Sequence, residues 1–261
     1  MRCEMLTSGE VALARAVVYR IGAQAFRHPG PGWLEEWDRI ARGVAAALEA
    51  LALDAPLSST LHEAFDRCFG ASRDVELVRA GHAHAIGASP RAGVTPYETE
   101  WSGAAGDLLQ YHQLADLSGF YRAFDLELAR TCDERVDHLA VELAFLQFLC
   151  VKEGLAQEQG RADLAALARA GQRSFLEQHL LRWAPACCAR FEESPGFHAH
   201  AAELVRRFLE LERERFSLAD DARPAALAAS KLALEDCCVG CAQSARCVPG
   251  GTAPPGASGH E

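Results

Sequence analysis

The sequence predicts an all-α protein, a single helical-bundle domain of about ten helices with a long mid-chain loop and a disordered C-terminal tail. Alanine and leucine dominate its 261 residues, 49% of which are hydrophobic, so a sizeable core is available. β-branched residues are sparse, and no segment sustains the apolar–polar alternation of a half-buried strand. Apolar side chains recur instead at helical steps. The stretch Thr131–Glu153 shows this most plainly, with Leu139, Leu143, Leu146 and Cys150 on one stripe.

Taken in order, Ser8 reads as an N-cap with Glu10 behind it, opening a helix through VALARAVVYRIGAQAF that stops near His28-Pro29-Gly30-Pro31. A second helix, WLEEWDRIARGVAAALEALAL, ends at Asp54-Ala55-Pro56. Ser58 and Ser59 cap a shorter one, TLHEAFDRCF, which Gly70 closes, and a further turn or two covers Asp74 to Ala85. Residues 1–86 make an N-terminal helical half.

Residues 87–106, GASPRAGVTPYETEWSGAAG after Ile86, are too rich in glycine and proline for a long helix and read as a hinge or binding loop. Tyr97, Glu98, Glu100 and Trp101 cluster inside it. The aromatics either pin the loop to the helical body or line a groove for an apolar peptide face, with the glutamates facing basic residues. Residues 107–236 form a C-terminal helical half. Helices are expected over Asp107–Phe124, from Asp133 through Glu153, over Ala162–Leu181 until Pro185 bends or ends the run, over Phe197–Phe216, and over Ala222–Asp236. The Glu/Arg pairs of the Phe197 helix read as a solvated outer face. Residues 237–261 form a cysteine-containing flexible tail, and no internal repeat is visible.

Lys and Arg number 26 against 36 Asp and Glu, and the resulting net charge of −10 argues against nucleic acid and for a basic or apolar partner. No apolar run reaches the roughly 18–20 residues of a membrane span, and Glu4, Glu10 and Arg15 interrupt any signal-peptide core, so a soluble, cytoplasmic protein is expected. Cys3, Cys68, Cys132, Cys150, Cys187 and Cys188 are scattered and read as small hydrophobes. Cys237, Cys238, Cys241 and Cys247 stand close together, and thiolates at such spacing fit zinc or an iron–sulfur cluster, or a thiol redox response. The chain has no phosphate-binding loop, dinucleotide fingerprint, zinc-protease helix or nucleophile elbow. Asp137, His138 and Glu142 form one polar cluster on one helix, which supplies at most two ligands or an acid–base pair from a single face. An enzyme is not expected.

Four blocks in order carry a resemblance: TPYETEW (Thr95–Trp101), SGFYRAF (Ser118–Phe124), ERVDHLAVELAFL (Glu134–Leu146) and FLEQHLLRWAP (Phe175–Pro185). Together they resemble the TorD/DmsD/NarJ family of all-helical cytoplasmic chaperones for molybdoenzyme maturation. The resemblance is clear over roughly Tyr97–Leu211. It implies a chaperone that binds the apo form of a molybdenum-containing oxidoreductase subunit, through its N-terminal or twin-arginine signal segment, and assists cofactor insertion before assembly or export. It assigns peptide binding to Tyr97, Glu98, Trp101, Gly119, Phe120, Asp137 and His138. Aromatics suit the apolar part of such a segment, and carboxylates suit its arginines. It also implies a monomer or a domain-swapped dimer. No cofactor is expected in the core.

The chain departs from the family pattern twice. Val136 stands where proline usually precedes the Asp-His pair, which predicts an earlier helix start with Asp137 and His138 inside the first turns. Asp125 stands where glycine is common. The alternative reading is a metal- or redox-responsive protein working through the tail cysteines.

Overall fold

Thr7, rather than Ser8, caps the first helix in the computed structural model of the chain. Its Oγ1 accepts from the Glu10 amide at 3.2 Å, and the Glu10 carboxylate accepts from the Thr7 amide at 2.8 Å. This reciprocal box satisfies two of the amides that every helix start leaves unpaired. The structure describes residues 7–52, 58–72, 74–87, 93–101, 107–130, 132–193 and 195–219, all within the unit Met1–Pro224.

The helices are α1 (Ser8–Phe26), α2 (Trp33–Ala52), α3 (Ser58–Ala71), α4 (Val75–His82), α5 (Asp107–Ala123), α6 (Leu139–Glu158), α7 (Ala162–Phe175), α8 (Leu181–Glu192) and α9 (Phe197–Arg215). A π-helical segment, Ala83–Gly87, continues α4, a second, Leu176–Leu180, fuses α7 to α8, and Glu98–Glu100 is a single 3₁₀ turn. Among the described residues there are therefore nine α-helical segments against about ten expected, and no strand beyond one isolated bridge. The predicted Ala222–Asp236 helix and the cysteines 237, 238, 241 and 247 lie outside the described residues, as does Cys3. No described helix is long and apolar enough to cross a membrane.

One apolar core runs from Val11 to Phe216 and unites the helices on both sides of the mid-chain loop. α1 packs most broadly against α6 and also meets α2 and α9, while α3 lies along α9. The stripe Leu139, Leu143, Leu146 and Cys150 is buried to 1% exposure or less, as its spacing predicts. α1 and α6 approach closely because glycines face each other: a Cβ on Gly154 would stand 2.7 Å from Leu13 Cγ and 3.1 Å from the Gly9 carbonyl oxygen. Leu13 Cγ is a branch point near its own backbone and yields little. Gly154→Ala is expected to lower stability by about 1–3 kcal/mol, the usual cost of overpacking, read as a lower urea midpoint.

Four local expectations are corrected. Gly70 sits inside α3 rather than closing it. α6 opens at Leu139, six residues after Asp133. Pro185 neither ends nor visibly interrupts its helix, which runs on to Glu192, and the departure from α geometry comes one turn earlier, in the π segment. The charged face of α9 is not wholly solvated. Arg206 and Arg207 do pair at its half-exposed surface with Glu192, Glu210 and Glu203. Glu212, however, points inward at 1% exposure and meets Arg15 of α1, also at 1%.

That meeting is a buried polar knot. Arg15 donates to both oxygens of Glu212 at 2.8 and 2.5 Å, to Glu153 at 3.1 Å and to Gln172 at 2.6 Å. Tyr19 donates to Glu212 at 2.8 Å. The knot ties α1, α6, α7 and α9 through side chains that no helical-wheel argument would put in a core. Cys68, Cys150, Cys187 and Cys188 are buried and Cys132 is half-buried. Burial raises the pKa of each of the four buried thiols, so they remain protonated and inert, the small hydrophobes their scatter suggested.

Candidate functional site

The mid-chain loop and the entrance to α6 are joined by main-chain pairing. Tyr97 and His138 form an antiparallel bridge, in which the Glu98 amide donates to the Asp137 carbonyl at 2.9 Å and the Leu139 amide to the Pro96 carbonyl at 2.8 Å. The Val136 carbonyl accepts from the Tyr121 hydroxyl at 2.8 Å. These three bonds explain the late helix start. The carbonyls of Val136 and Asp137 are committed to the loop and to α5, so valine's tolerance of helix brings no earlier turn. Asp137 and His138 lie at the mouth of α6, not inside its first turns.

Asp137 is fully buried and fully engaged. Arg135 grips its two oxygens in a fork, Nε at 2.9 Å and Nη2 at 2.6 Å, and Thr99 donates its amide at 3.2 Å and its hydroxyl at 2.7 Å. The Arg135 guanidinium also covers the Tyr97 ring at 4.4 Å. The carboxylate thus holds the loop against α6, with nothing left to reach for an incoming arginine. His138 is the N-cap of α6, its Nδ1 accepting from the Ala140 amide at 3.1 Å. Burial, more than any nearby charge, lowers its pKa to about 3, so the ring is neutral and carries its proton on Nε2. Its Nε2 approach to Glu134, at 3.5 Å, is consequently not an ion pair. Glu134 instead accepts from the Tyr97 hydroxyl at 3.1 Å.

Glu98 also turns inward, at 3% exposure, and its carboxylate lies 3.1 Å from His179 Nδ1. The π segment brings His179 there, between the rings of Phe120 (5.0 Å) and Phe175 (5.2 Å), with Asp116 of α5 3.3 Å from Nε2. Behind Glu98 stands Glu142, fully buried, whose Oε2 accepts from the Trp183 indole at 3.2 Å. Burial first, and the Glu98 carboxylate second, push the Glu142 pKa well up and favour its neutral form. Its Oε1 has no hydrogen-bond partner among the described residues.

Six of the seven residues assigned by resemblance are linked here by these contacts, in two layers, and Gly119 joins them only as the chain neighbour of Phe120. Glu98, Asp137 and His138 are a buried and saturated base. Tyr97, Trp101 and Phe120 are half-buried above it. Gly119 is exposed, and a side chain there would project into open space, since a Cβ would meet no neighbouring segment within 4 Å. Trp101 donates its indole N–H to the Thr95 carbonyl at 2.9 Å and so pins its own loop. Asp116, 63% exposed at the side chain, and the partly exposed Glu134 are carboxylates that reach solvent here. Sequence reasoning missed Thr99, Arg135, Asp116 and His179. His179 and Trp183 both stand in the FLEQHLLRWAP block, so the signal was present without its partners.

The site and its scaffold have counterparts in known proteins. The family model described as nitrate reductase delta subunit matches residues 36–189. The chain is 36% identical over 102 residues to the selenate reductase assembly chaperone of Thauera selenatis, covering 39% of this chain and 52% of that protein. It is 35% identical over 102 residues to the chlorate reductase assembly chaperone of Ideonella dechloratans, with the same coverage of 39% and 52%. It is 28% identical over 128 residues to the chaperone TorD of Vibrio cholerae serotype O1 (strain M66-2), covering 48% and 56%. The chain spans about half the length of these curated relatives. No solved structure matches it. The family match covers more than half the chain, runs from within α2 into α8 and contains all four ordered blocks together with the paired loop and helix mouth; the chain belongs to the nitrate reductase delta subunit family.

Proposed function

We propose that this protein is a cytoplasmic chaperone that holds the apo form of a molybdenum-containing oxidoreductase subunit until its cofactor is inserted. The observation that carries the reading is the family match, which spans the whole two-layered site. The names of the relatives support it, since they describe assembly chaperones for selenate and chlorate reductases and the chaperone TorD rather than enzymes. The chemistry of the site suits an extended segment from the client's N-terminus, including one with a twin-arginine signal. Tyr97, Trp101, Gly119 and Phe120 offer a partly apolar surface, while Asp137, His138 and Glu98 beneath hold it in shape before the peptide arrives. The basic residues of the segment fall to Asp116 and Glu134 rather than to Asp137. The net charge of −10 speeds encounter with such a segment.

The test is co-expression with a molybdoenzyme catalytic subunit from the same source, followed by co-purification with and without the client's N-terminal segment. Retention of the full-length apo subunit and its loss on truncation are expected; failure to retain the full-length subunit overturns the reading. Asp116→Asn is expected to weaken binding of an arginine-containing N-terminal peptide roughly two- to fivefold, as for an exposed ion pair, measured by calorimetric titration at low salt. Sedimentation of the free protein separates a monomer from a domain-swapped dimer.

A further inference from the structure

At the far end of α6, roughly 20 Å along the helix from its mouth, α6 and α7 leave an apolar groove beside the end of α5. The cavity is about 490 Å³. Its walls are Leu155, Leu164 and Leu167, exposed by 43%, 38% and 60%, three of the five large apolar side chains that stand out from the described surface. Its floor is Ala156 and Ala168, whose small side chains allow another backbone to approach both helices closely. Phe124 closes one side, its ring seated on α7 where a Cβ on Gly171 would lie 2.5 Å from Cζ.

The charge at this groove runs against that of the chain. Lys152 and Arg161 line it against the one acid Asp125, although acids exceed bases by ten over the whole sequence. Neither cation has a carboxylate partner among the described residues. Lys152 lies instead 5.3 Å over the Phe148 ring. An antiparallel pair of helices with leucine rims and an alanine floor is two thirds of a three-helix contact. Its length, Lys152 to Gln159, matches about two turns of helix.

We propose that this groove docks an amphipathic helix of a protein partner, with its apolar face on Leu155, Leu164 and Leu167 and its acidic residues on Lys152 and Arg161. The surface is separate from the Tyr97–His138 site, and its occupancy does not depend on the identity of the client. Charge complementarity selects this occupant over two others. An anionic membrane would repel a chain of net charge −10. A second copy would bring Lys152 and Arg161 of each chain toward those of the other, with only Asp125 to offset them.

The probe is a fluorescein-labelled amphipathic peptide with leucines on one face and glutamates on the other, titrated into the full-length chain by fluorescence anisotropy, with a lysine-faced counterpart as control. The glutamate peptide is expected to bind, and the lysine peptide to bind at least about tenfold more weakly. Leu167→Glu is expected to weaken binding about tenfold or more. Lys152→Glu combined with Arg161→Glu is expected to reverse the preference between the peptides. All three positions are exposed, so unchanged thermal unfolding distinguishes lost binding from lost fold. Equal binding of the two peptides, or insensitivity to Leu167→Glu, overturns the proposal. So does recruitment to phosphatidylserine vesicles without peptide binding, which would assign the groove to lipid. Self-association that Leu167→Glu abolishes, again without peptide binding, would assign it to a second copy and overturn the proposal too.

Discussion

Arg15→Ala is expected to lower the unfolding free energy by about 3–5 kcal/mol, the range for removing one partner of a buried ion pair. Urea unfolding followed by circular dichroism measures it. The size follows from what remains. Arg15 is the shared donor to Glu212, Glu153 and Gln172 in a space where both Arg15 and Glu212 are 1% exposed. Without the guanidinium, Glu212 keeps only the Tyr19 hydroxyl and the more distant Arg215, whose Nε is 3.8 Å away. Glu153 is less exposed to the loss, because Arg169 also donates to it at 3.3 Å. The double variant Arg15→Met with Glu212→Leu removes charge and counter-charge together and is expected to recover most of the deficit. A double variant as unstable as Arg15→Ala would show that packing around the knot, not its charge, carries the effect.

The second large effect concerns Glu142. Replacement by alanine opens a cavity and strands the Trp183 indole N–H, which alone costs about 1–3 kcal/mol. Glu142→Gln preserves shape and keeps an acceptor for Trp183 while removing the buried ionisable group, so it is expected to be well tolerated. The two variants differ in a further respect from the native chain. Burial and Glu98 raise the folded-state pKa of Glu142 above its unfolded value, so the folded state binds the extra proton. The corresponding stability is fully present below the unfolded pKa and drains away as pH rises through the folded one. The native protein is therefore expected to lose unfolding free energy as pH rises above the ordinary carboxyl range, and Glu142→Gln to lose less. Parallel pH profiles for the two proteins would sink the assignment of a raised Glu142 pKa.

Much of the scaffold could be read from residue spacing because the relevant forces are local. The Leu139–Cys150 stripe and the breaks at His28–Gly30 depend on neighbours three or four residues away, whereas the cap of α1 falls on Thr7, one residue before the Ser8 expected. The entrance to α6 could not be read that way. Helix propensity favours an early start, and three hydrogen bonds from distant segments override it. The same distance blurred Asp137 and Glu98, which look like free carboxylates in sequence and become anchors once Arg135, Thr99 and His179 close on them. Asp125 illustrates the opposite case. It departs from a glycine pattern, yet it adopts φ 57°, the left-handed conformation that glycine favours and that aspartate tolerates better than most residues. The Glu/Arg pattern of α9 concealed the inward Glu212 because a wheel treats every charge as outward.

The π segment Leu176–Leu180 has a consequence for how this protein tolerates insertion and loss. A π turn holds one residue more than an α turn, so the rod from Ala162 to Glu192 carries an extra residue with no loop to absorb it. Each residue advances an α-helix by about 100°. Deleting one position from the segment would let it close to α geometry with the phase of α8 kept. Deleting one elsewhere in the rod would turn α8 by that angle relative to α7, taking Trp183 away from Glu142 and bringing the buried Cys187 and Phe191 off the core. The segment is thus the place where the rod can lose a residue and keep its phase, and an exchange of parts between relatives succeeds only where the count is kept in the α-helical stretches on either side.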